Sequence, residues 1–240
     1  MGNHKIILNN GVFCGRCKSD FYLKKILRNA IVQDFKKLNE KELNRIVDFG
    51  CGSMPYASFL SFYCREYIGC DLLGTGAAME FKPGGILPIA DGSVDQVVSF
   101  QVLEHVHDVS WYLNEAKRIL RPEGRILLST HGTWPYHPHP EDYWRWTRSG
   151  IIRTVEGHGF EVENVASLVG PAAWTLMFQF GAITLLLSKF GILGRLMAAA
   201  MNVVVNFFLP FVDRITPVDL KKNNASVYVI SAKKSHVRAL

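Results

Sequence analysis

The sequence predicts one α/β domain built on a doubly wound, mostly parallel sheet. Three observations carry that prediction. Strand-like runs rich in Val, Ile and Phe alternate with amphipathic segments from residue 45 onward, and one such run ends in the glycine-rich turn Asp48-Phe49-Gly50-Cys51-Gly52. At 240 residues the chain can bury one sizeable core but falls short of what two ordinary domains need.

Taken in order, Phe21 to Leu38 places Leu23, Ile26, Leu27, Ile31, Phe35 and Leu38 at helical spacing between Lys and Arg residues. This helix, within residues 20–40, is expected to cap one edge of the fold. Next come a strand at 45–50, a helix from about Pro55, a strand at 66–73, a strand at 94–102, a helix from Ser110 to Leu120 and a strand at 125–131. A helix from Thr147 to Gly157, a strand from Phe160 to Ala166 and a last strand from Ala225 to Ala232 complete the pattern. Such alternation implies parallel strands joined by helical crossovers. Between the last two strands, residues 168–220 form an apolar interruption.

Hydrophobic residues make up 48% and charged residues 20%, which excludes a disordered chain. The net charge of +6 gathers toward the ends, at Lys24, Lys25, Arg28 and at Lys233, Lys234, Arg238. With no aromatic-plus-basic signature beside these groups, nucleic acid is not an expected partner. The five cysteines are odd in number, which points to a reducing compartment, and the start MGNHKIILNN lacks a secretory signal, so a cytoplasmic location is expected. Cys14-x-x-Cys17 is half of a zinc knuckle without a second pair and reads as a surface loop.

The turn after the first strand carries the chemistry. Gly50 and Gly52 permit a tight bend and let the backbone approach a ligand, and a following helix start offers free amide groups. Asp71 ends the next strand, where a carboxylate can accept both hydroxyls of a ribose. A dinucleotide fingerprint would need Gly or Ala where Pro55 stands, so pyrophosphate recognition loses support.

At this point the sequence resembles the class I S-adenosylmethionine-dependent methyltransferases. Asp48-Phe49-Gly50-Cys51-Gly52 matches their D-x-G-x-G loop, and Ile89-Ala90-Asp91-Gly92-Ser93-Val94-Asp95 is similar to their segment before strand four. Leu103-Glu104-His105-Val106 is similar to their L-E-H-V segment, and Leu120-Arg121-Pro122-Glu123-Gly124 to their L-x-P-G-G turn, with Glu123 in place of the first Gly. The resemblance implies a seven-stranded Rossmann-like sheet and S-adenosylmethionine as cofactor. Carried over by position, it implies that Asp48, Gly50, Cys51 and Gly52 form the loop around the methionine part, that Asp71 and Leu72 meet the ribose, that Ala90 and Asp91 meet the adenine edge, and that Gln101 lines the pocket.

A sulfonium methyl is already activated, so the protein chiefly has to hold a nucleophile in line with it. A hydroxyl nucleophile also needs a base. The segment His131 to Trp146 follows the fifth strand, is stretched by three prolines, and falls where open α/β sheets bind ligands. Its rings can stack on sugar faces or quinone-like rings, and His137, His139 and Asp142, with His105, are the candidate catalytic groups. His131, His137 and His139 match no standard metal-ligand spacing, and no metal is expected. The loop also resembles, more loosely, a stretch of bacterial methyltransferases associated with surface-glycan assembly.

The interruption holds an uncharged run from Asn164 to Ser188 and another from Leu196 to Val212, the second broken by Asn202, Asn206 and Pro210. A bilayer-spanning hairpin would put Lys189 and Arg195 on the far side, against the positive-inside preference, so a one-leaflet dip on the inner membrane face is preferred. A helical lid or a homodimer interface fits the same residues. The expected function is O-methylation of a membrane-associated glycan or lipid-linked sugar. A small lipophilic ring acceptor such as a quinone precursor, and a cofactor-binding scaffold without catalysis, are the alternatives.

Overall fold

The computed structural model describes residues 15–235. It opens with helix α1 (Phe21–Phe35), followed by β1 (Leu43–Phe49), α2 (Ala57–Tyr63), β2 (Cys64–Leu72), β3 (Met79–Phe81) and β4 (Val94–Phe100). Then come α3 (Val109–Ile119), β5 (Leu120–His131), α4 (Arg148–Gly157) and β6 (Phe160–Leu168), the helices α5 (Pro171–Ser188), α6 (Gly191–Ile215) and α7 (Val218–Asn223), and finally β7 (Val227–Lys234). The strands form one sheet in the order β3-β2-β1-β4-β5-β7-β6. β1 to β5 run parallel, and β7 runs antiparallel to both β5 and β6.

Strand residues alternate between two cores, as the period-two geometry of a pleated sheet requires. Val47, Phe49, Val97, Ile126, Leu128, Tyr228 and Ile230 face α3 and α4, while Ile46, Val98, Leu127, Val227 and Val229 face α1, α2, α5 and α6. On the first side Phe49 stacks on Tyr112 with ring centroids 4.0 Å apart, and the Tyr112 hydroxyl donates to the Phe49 carbonyl at 2.7 Å. On the second side Phe35 packs edge-on against Phe59 at 5.7 Å. The chain leaves β1 on one side toward β2 and β3 and returns to its other side as β4. The carboxyl ends of β1 and β4 therefore open on a topological switch point, the place where such sheets bind ligands.

Several boundaries differ from the sequence expectation. The helix expected from Pro55 begins at Ala57 with Tyr56 as its cap, because the turn continues through Met54, which has φ +53°. Strand β3 was not legible, being three residues long and set between glycine-bearing turns. Glu123 adopts φ +68°, a conformation suited to the glycine that the resembled L-x-P-G-G turn has there. The C-terminal basic residue Lys233 is paired with Glu123, so part of the basic cluster is neutralised locally. Cys17 is an exposed thiol, whereas Cys14, Arg238 and the first ten residues lie outside the described residues.

The apolar interruption is a helical hairpin, α5 and α6, whose inner face sets polar residues among apolar ones. Pro210 does not end α6, which runs on to Ile215. Asn202 donates to the Cys17 carbonyl at 3.0 Å, and Asn206 donates to the carbonyls of Arg16 and Lys18 at 2.9 and 2.8 Å. Buried Asp213 accepts from the Tyr22 hydroxyl at 2.9 Å and from the Gly170 amide at 2.7 Å, and it pairs with Lys221 at 2.5 Å. These residues bolt α6 onto the segment leading into α1. Asp213→Ala should strand all three partners and lower stability in urea denaturation by about 3–5 kcal/mol. A loss below about 1 kcal/mol would show that the attachment does not depend on this carboxylate.

Candidate active site

At the end of β1 the amides of Gly50 and Cys51 both donate to the Cys70 carbonyl, at 2.8 and 3.0 Å, so the turn is fastened to β2. Gly50 has φ +81°, and a Cβ there would come within 2.6 Å of the Val102 methyls. Gly52 has φ +51°, and its missing Cβ would point into open space. One glycine thus admits a close neighbour, and the other leaves the loop face bare. Asp71 stands across the mouth of this turn. Its Oδ2 accepts from the Gly52 amide at 2.5 Å and its Oδ1 from the Leu72 amide at 2.7 Å.

Beneath the loop, buried Asp48 accepts from the Tyr67 hydroxyl at 2.7 Å. Burial pushes its carboxyl up to about 7, with the Asp71 charge adding to the shift and the Tyr67 hydrogen bond opposing it. Burial likewise pushes the Cys51 thiol up to about 12, so it acts as packing, close against Gly69. Gln101, at the end of β4, adopts φ +59° and is held by Ser129, whose hydroxyl accepts from Nε2 at 3.0 Å. A bare loop face, a carboxylate at its rim and a pinned strand end fit an adenosyl sulfonium.

The segment read as the adenine edge is organised by a residue the sequence did not single out. Arg118, on α3, donates to the carbonyls of Leu87 and Ile89 at 3.0 and 2.8 Å and pairs with Asp91 at 2.6 Å. Asp91 is exposed, and the Ala90 carbonyl accepts from the Ser93 hydroxyl at 2.7 Å.

A second group of side chains lies at the same sheet end. Beyond β4 a single 3₁₀ turn, Leu103–His105, carries Glu104 inward to 0% exposure. Thr130 donates to its Oε2 at 2.8 Å, and its Oε1 lies 3.2 Å from His131 Nε2 without a hydrogen bond. Burial raises the Glu104 carboxyl to about 7 and lowers His131 to about 2, so both groups resist carrying charge.

The loop from 131 to 146 folds back over this group. The Glu104 carbonyl accepts from the amides of Tyr143 and Trp144 at 2.8 and 3.2 Å, and the His131 carbonyl accepts from Trp146 at 3.0 Å. Arg145 clasps Asp142 at 2.6 and 2.5 Å while donating to the Trp134 and Pro135 carbonyls. That ion pair holds the Asp142 carboxyl well below the usual carboxylate range, which makes Asp142 a fixed anchor that also accepts the His137 amide at 2.9 Å.

The structure gathers three of the four candidate catalytic groups into one ring cluster. His137 packs edge-on to His105 at 5.0 Å and to His139 at 5.9 Å. It is also edge-on to His131, with ring centroids 4.8 Å apart. Asp142 sits beside His137, with Nδ1 and Oδ2 3.4 Å apart. Sequence reasoning met Glu104 in the L-E-H-V segment and His131 in the histidine trio but placed neither among the catalytic candidates, since only burial distinguishes them from a helix-start residue and a strand end.

Residues 47–128 match the family described as a methyltransferase domain. A probable S-adenosylmethionine-dependent methyltransferase of Mycolicibacterium smegmatis is 30% identical over 135 residues, covering 50% of this chain and 52% of that protein. The ubiquinone biosynthesis O-methyltransferase of Azorhizobium caulinodans is 24% identical over 123 residues, covering 45% of this chain and 49% of that protein. The chain thus spans about half the length of these curated relatives. Among solved structures, phosphoethanolamine N-methyltransferase 2 of Haemonchus contortus with S-adenosyl-L-methionine superposes with a TM-score of 0.55 at 15% identity, covering 88% of this chain and 53% of that one. That likeness speaks for the fold alone. Residues 47–128 thus match a methyltransferase domain, and the glycine turn and the curated relatives support a class I methyltransferase with S-adenosylmethionine as its cofactor.

Two expectations follow. Asp71→Asn should weaken S-adenosylmethionine binding about 10–100-fold by calorimetry, the loss expected for hydrogen bonds to a charged acceptor, and unchanged affinity would remove Asp71 from the cofactor site. The second concerns Asp48, whose folded carboxyl titrates near 7 and whose unfolded one titrates near about 3.9. Between those values the folded state holds the extra proton, so stability falls as pH rises through that window, by up to about 1.4 kcal/mol per pH unit. Asp48→Asn should flatten that fall in urea melts at pH 5 and pH 7, and identical pH slopes would show the carboxyl to be ionised in the fold.

Proposed function

We propose that this protein is an enzyme that transfers a methyl group from S-adenosylmethionine to a hydroxyl of a membrane-associated glycan or lipid-linked sugar, working at the inner membrane face. The observation that carries the reading is the two-sided α5–α6 hairpin. Its inner side is tied to the domain by Asn202, Asn206 and Asp213, and its outer side is a continuous apolar surface. Leu185, Ile192 and Phe207 are 71%, 80% and 68% exposed there.

Both helices are long and apolar enough to cross a membrane. Spanning would tear Asn202, Asn206 and Asp213 from their partners on the domain, at a cost of roughly 1–3 kcal/mol for each polar group stranded. Lying in one leaflet keeps those bonds and buries the outer face, with Lys189 and Arg195 reaching the headgroups. The hairpin also adjoins the acceptor loop, because Phe178 of α5 packs edge-on against Trp134 at 5.4 Å. An acceptor held in the leaflet would therefore meet the loop that covers the site.

S-adenosylmethionine supplies a methyl already activated by its sulfonium charge. The chain's own residues orient and deprotonate the acceptor. Exposed Tyr136, Tyr143 and Trp144 offer ring faces for a sugar. The His105 Nδ1 lies 2.6 Å from the Glu141 carbonyl, which only a protonated nitrogen can satisfy, so in the neutral ring the lone pair that can take a hydroxyl proton is on Nε2. His139, exposed at the rim, is a second proton acceptor.

A lipophilic ring acceptor is the second reading, favoured by the similarity to the Azorhizobium ubiquinone biosynthesis O-methyltransferase. Incubating the protein with methyl-labelled cofactor and fractionated membrane extract separates the two. Label in the glycolipid or polymer-linked glycan fraction is expected. Label confined to the quinone fraction would replace the first reading with the second, and label in neither would overturn both. For the membrane step, the double variant Leu193→Asp, Phe207→Asp should reduce co-sedimentation with anionic vesicles by about tenfold or more while leaving the melting temperature unchanged. Equal vesicle recovery for variant and wild type would defeat the leaflet placement.

A further inference from the structure

We propose that Glu104, His131 and His137 form a binding site for a first-row divalent cation of the zinc type. Each of the three offers one ligand atom, and these atoms lie within 4.8 Å of one another. Two are already at ligand spacing. His131 Nε2 and Glu104 Oε1 are 3.2 Å apart, and two ligands of a tetrahedral ion with bonds of about 2.0–2.1 Å stand about 3.3 Å apart.

The surroundings supply the second observation. Glu104 Oε1 is fully buried without a hydrogen bond. Buried polar atoms in folded proteins are satisfied almost without exception, so the orphaned Glu104 oxygen, set beside two imidazoles, points to a missing partner. A carboxylate oxygen and one lone-pair nitrogen from each imidazole are electron donors that a single cation can satisfy. Outer contacts hold the three ligands in place. Thr130 donates to the other Glu104 oxygen at 2.8 Å, Trp134 stacks on His131 at 4.9 Å, and Asp142 accepts the His137 amide at 2.9 Å and stands 3.4 Å from its Nδ1. Such outer partners fix ligand orientation in metal sites.

Two imidazoles and one carboxylate leave a coordination position open, the arrangement of ions that bind an exogenous oxygen. That position adjoins His105 and His139, and the use of it to hold an acceptor hydroxyl rests on the methyl-transfer reading above. The ion site itself does not, and its test involves neither cofactor nor acceptor.

The full chain is dialysed against a chelator and titrated with Co²⁺, whose d–d absorption reports nitrogen and oxygen ligation. Wild type should develop visible bands that saturate at about one equivalent and vanish on adding Zn²⁺. His137→Asn, which alters a loop residue, and Glu104→Gln should each weaken Co²⁺ binding about a hundredfold or more, while His158→Gln, bonded to Ser110 away from the cluster, should bind as wild type. Melting curves confirm that the variants are folded, and His137→Asn keeps the test open if Glu104→Gln does not fold. Absence of bands in wild type, or bands that persist in folded His137→Asn, overturns the site.

Discussion

The close approach of Gly50 to Val102 sets the geometry on which the rest of the site depends. Because no side chain stands at residue 50, the turn after β1 and the residues beyond β4 press together at the carboxyl end of the sheet. On one side of that contact lie Gly52 and Asp71, the candidate cofactor rim. On the other, the chain passes from Val102 into the 3₁₀ turn that buries Glu104. A single hydrogen atom in place of a Cβ thereby places the candidate cofactor turn beside the ring cluster.

Much of this was legible in the sequence, for identifiable reasons. The parallel core follows from strands buried on both faces, as in β4, where Val94 to Ser99 are all buried. Asp71 was legible because strand length and turn length fix its distance from the glycine turn. Other features depend on contacts that no local pattern encodes. Glu104 and His131 stand 27 residues apart, and their meeting is a property of β4–β5 pairing. Arg118 reads as one more charge on a helix face until four carbonyl and carboxylate partners are seen converging on it. Asn202 and Asn206 read as flaws in an apolar run, yet they are the residues by which α6 grips the chain before α1.

The loop from His131 to Trp146 joins the two halves of the function. Its backbone is anchored on the Glu104 carbonyl, and Arg145 draws Trp134, Pro135 and Asp142 around itself, so a proline-rich excursion becomes a shaped wall. Trp134 then meets both His131 within and Phe178 of the hairpin without. Any shift of the hairpin would be felt at the rings lining the site through that one indole.

The antiparallel placement of β7 has an evolutionary corollary. Leu168 at the end of β6 is paired directly with Val227 at the start of β7, and the Ser226 amide donates to the Leu168 and Val169 carbonyls. Everything between those residues departs from and returns to one spot on the sheet. The closure entropy of such an excursion grows only with the logarithm of its length. Segments of very different size can therefore be exchanged at this junction without reordering a strand, which makes it a natural port through which the scaffold can be re-addressed to other surfaces.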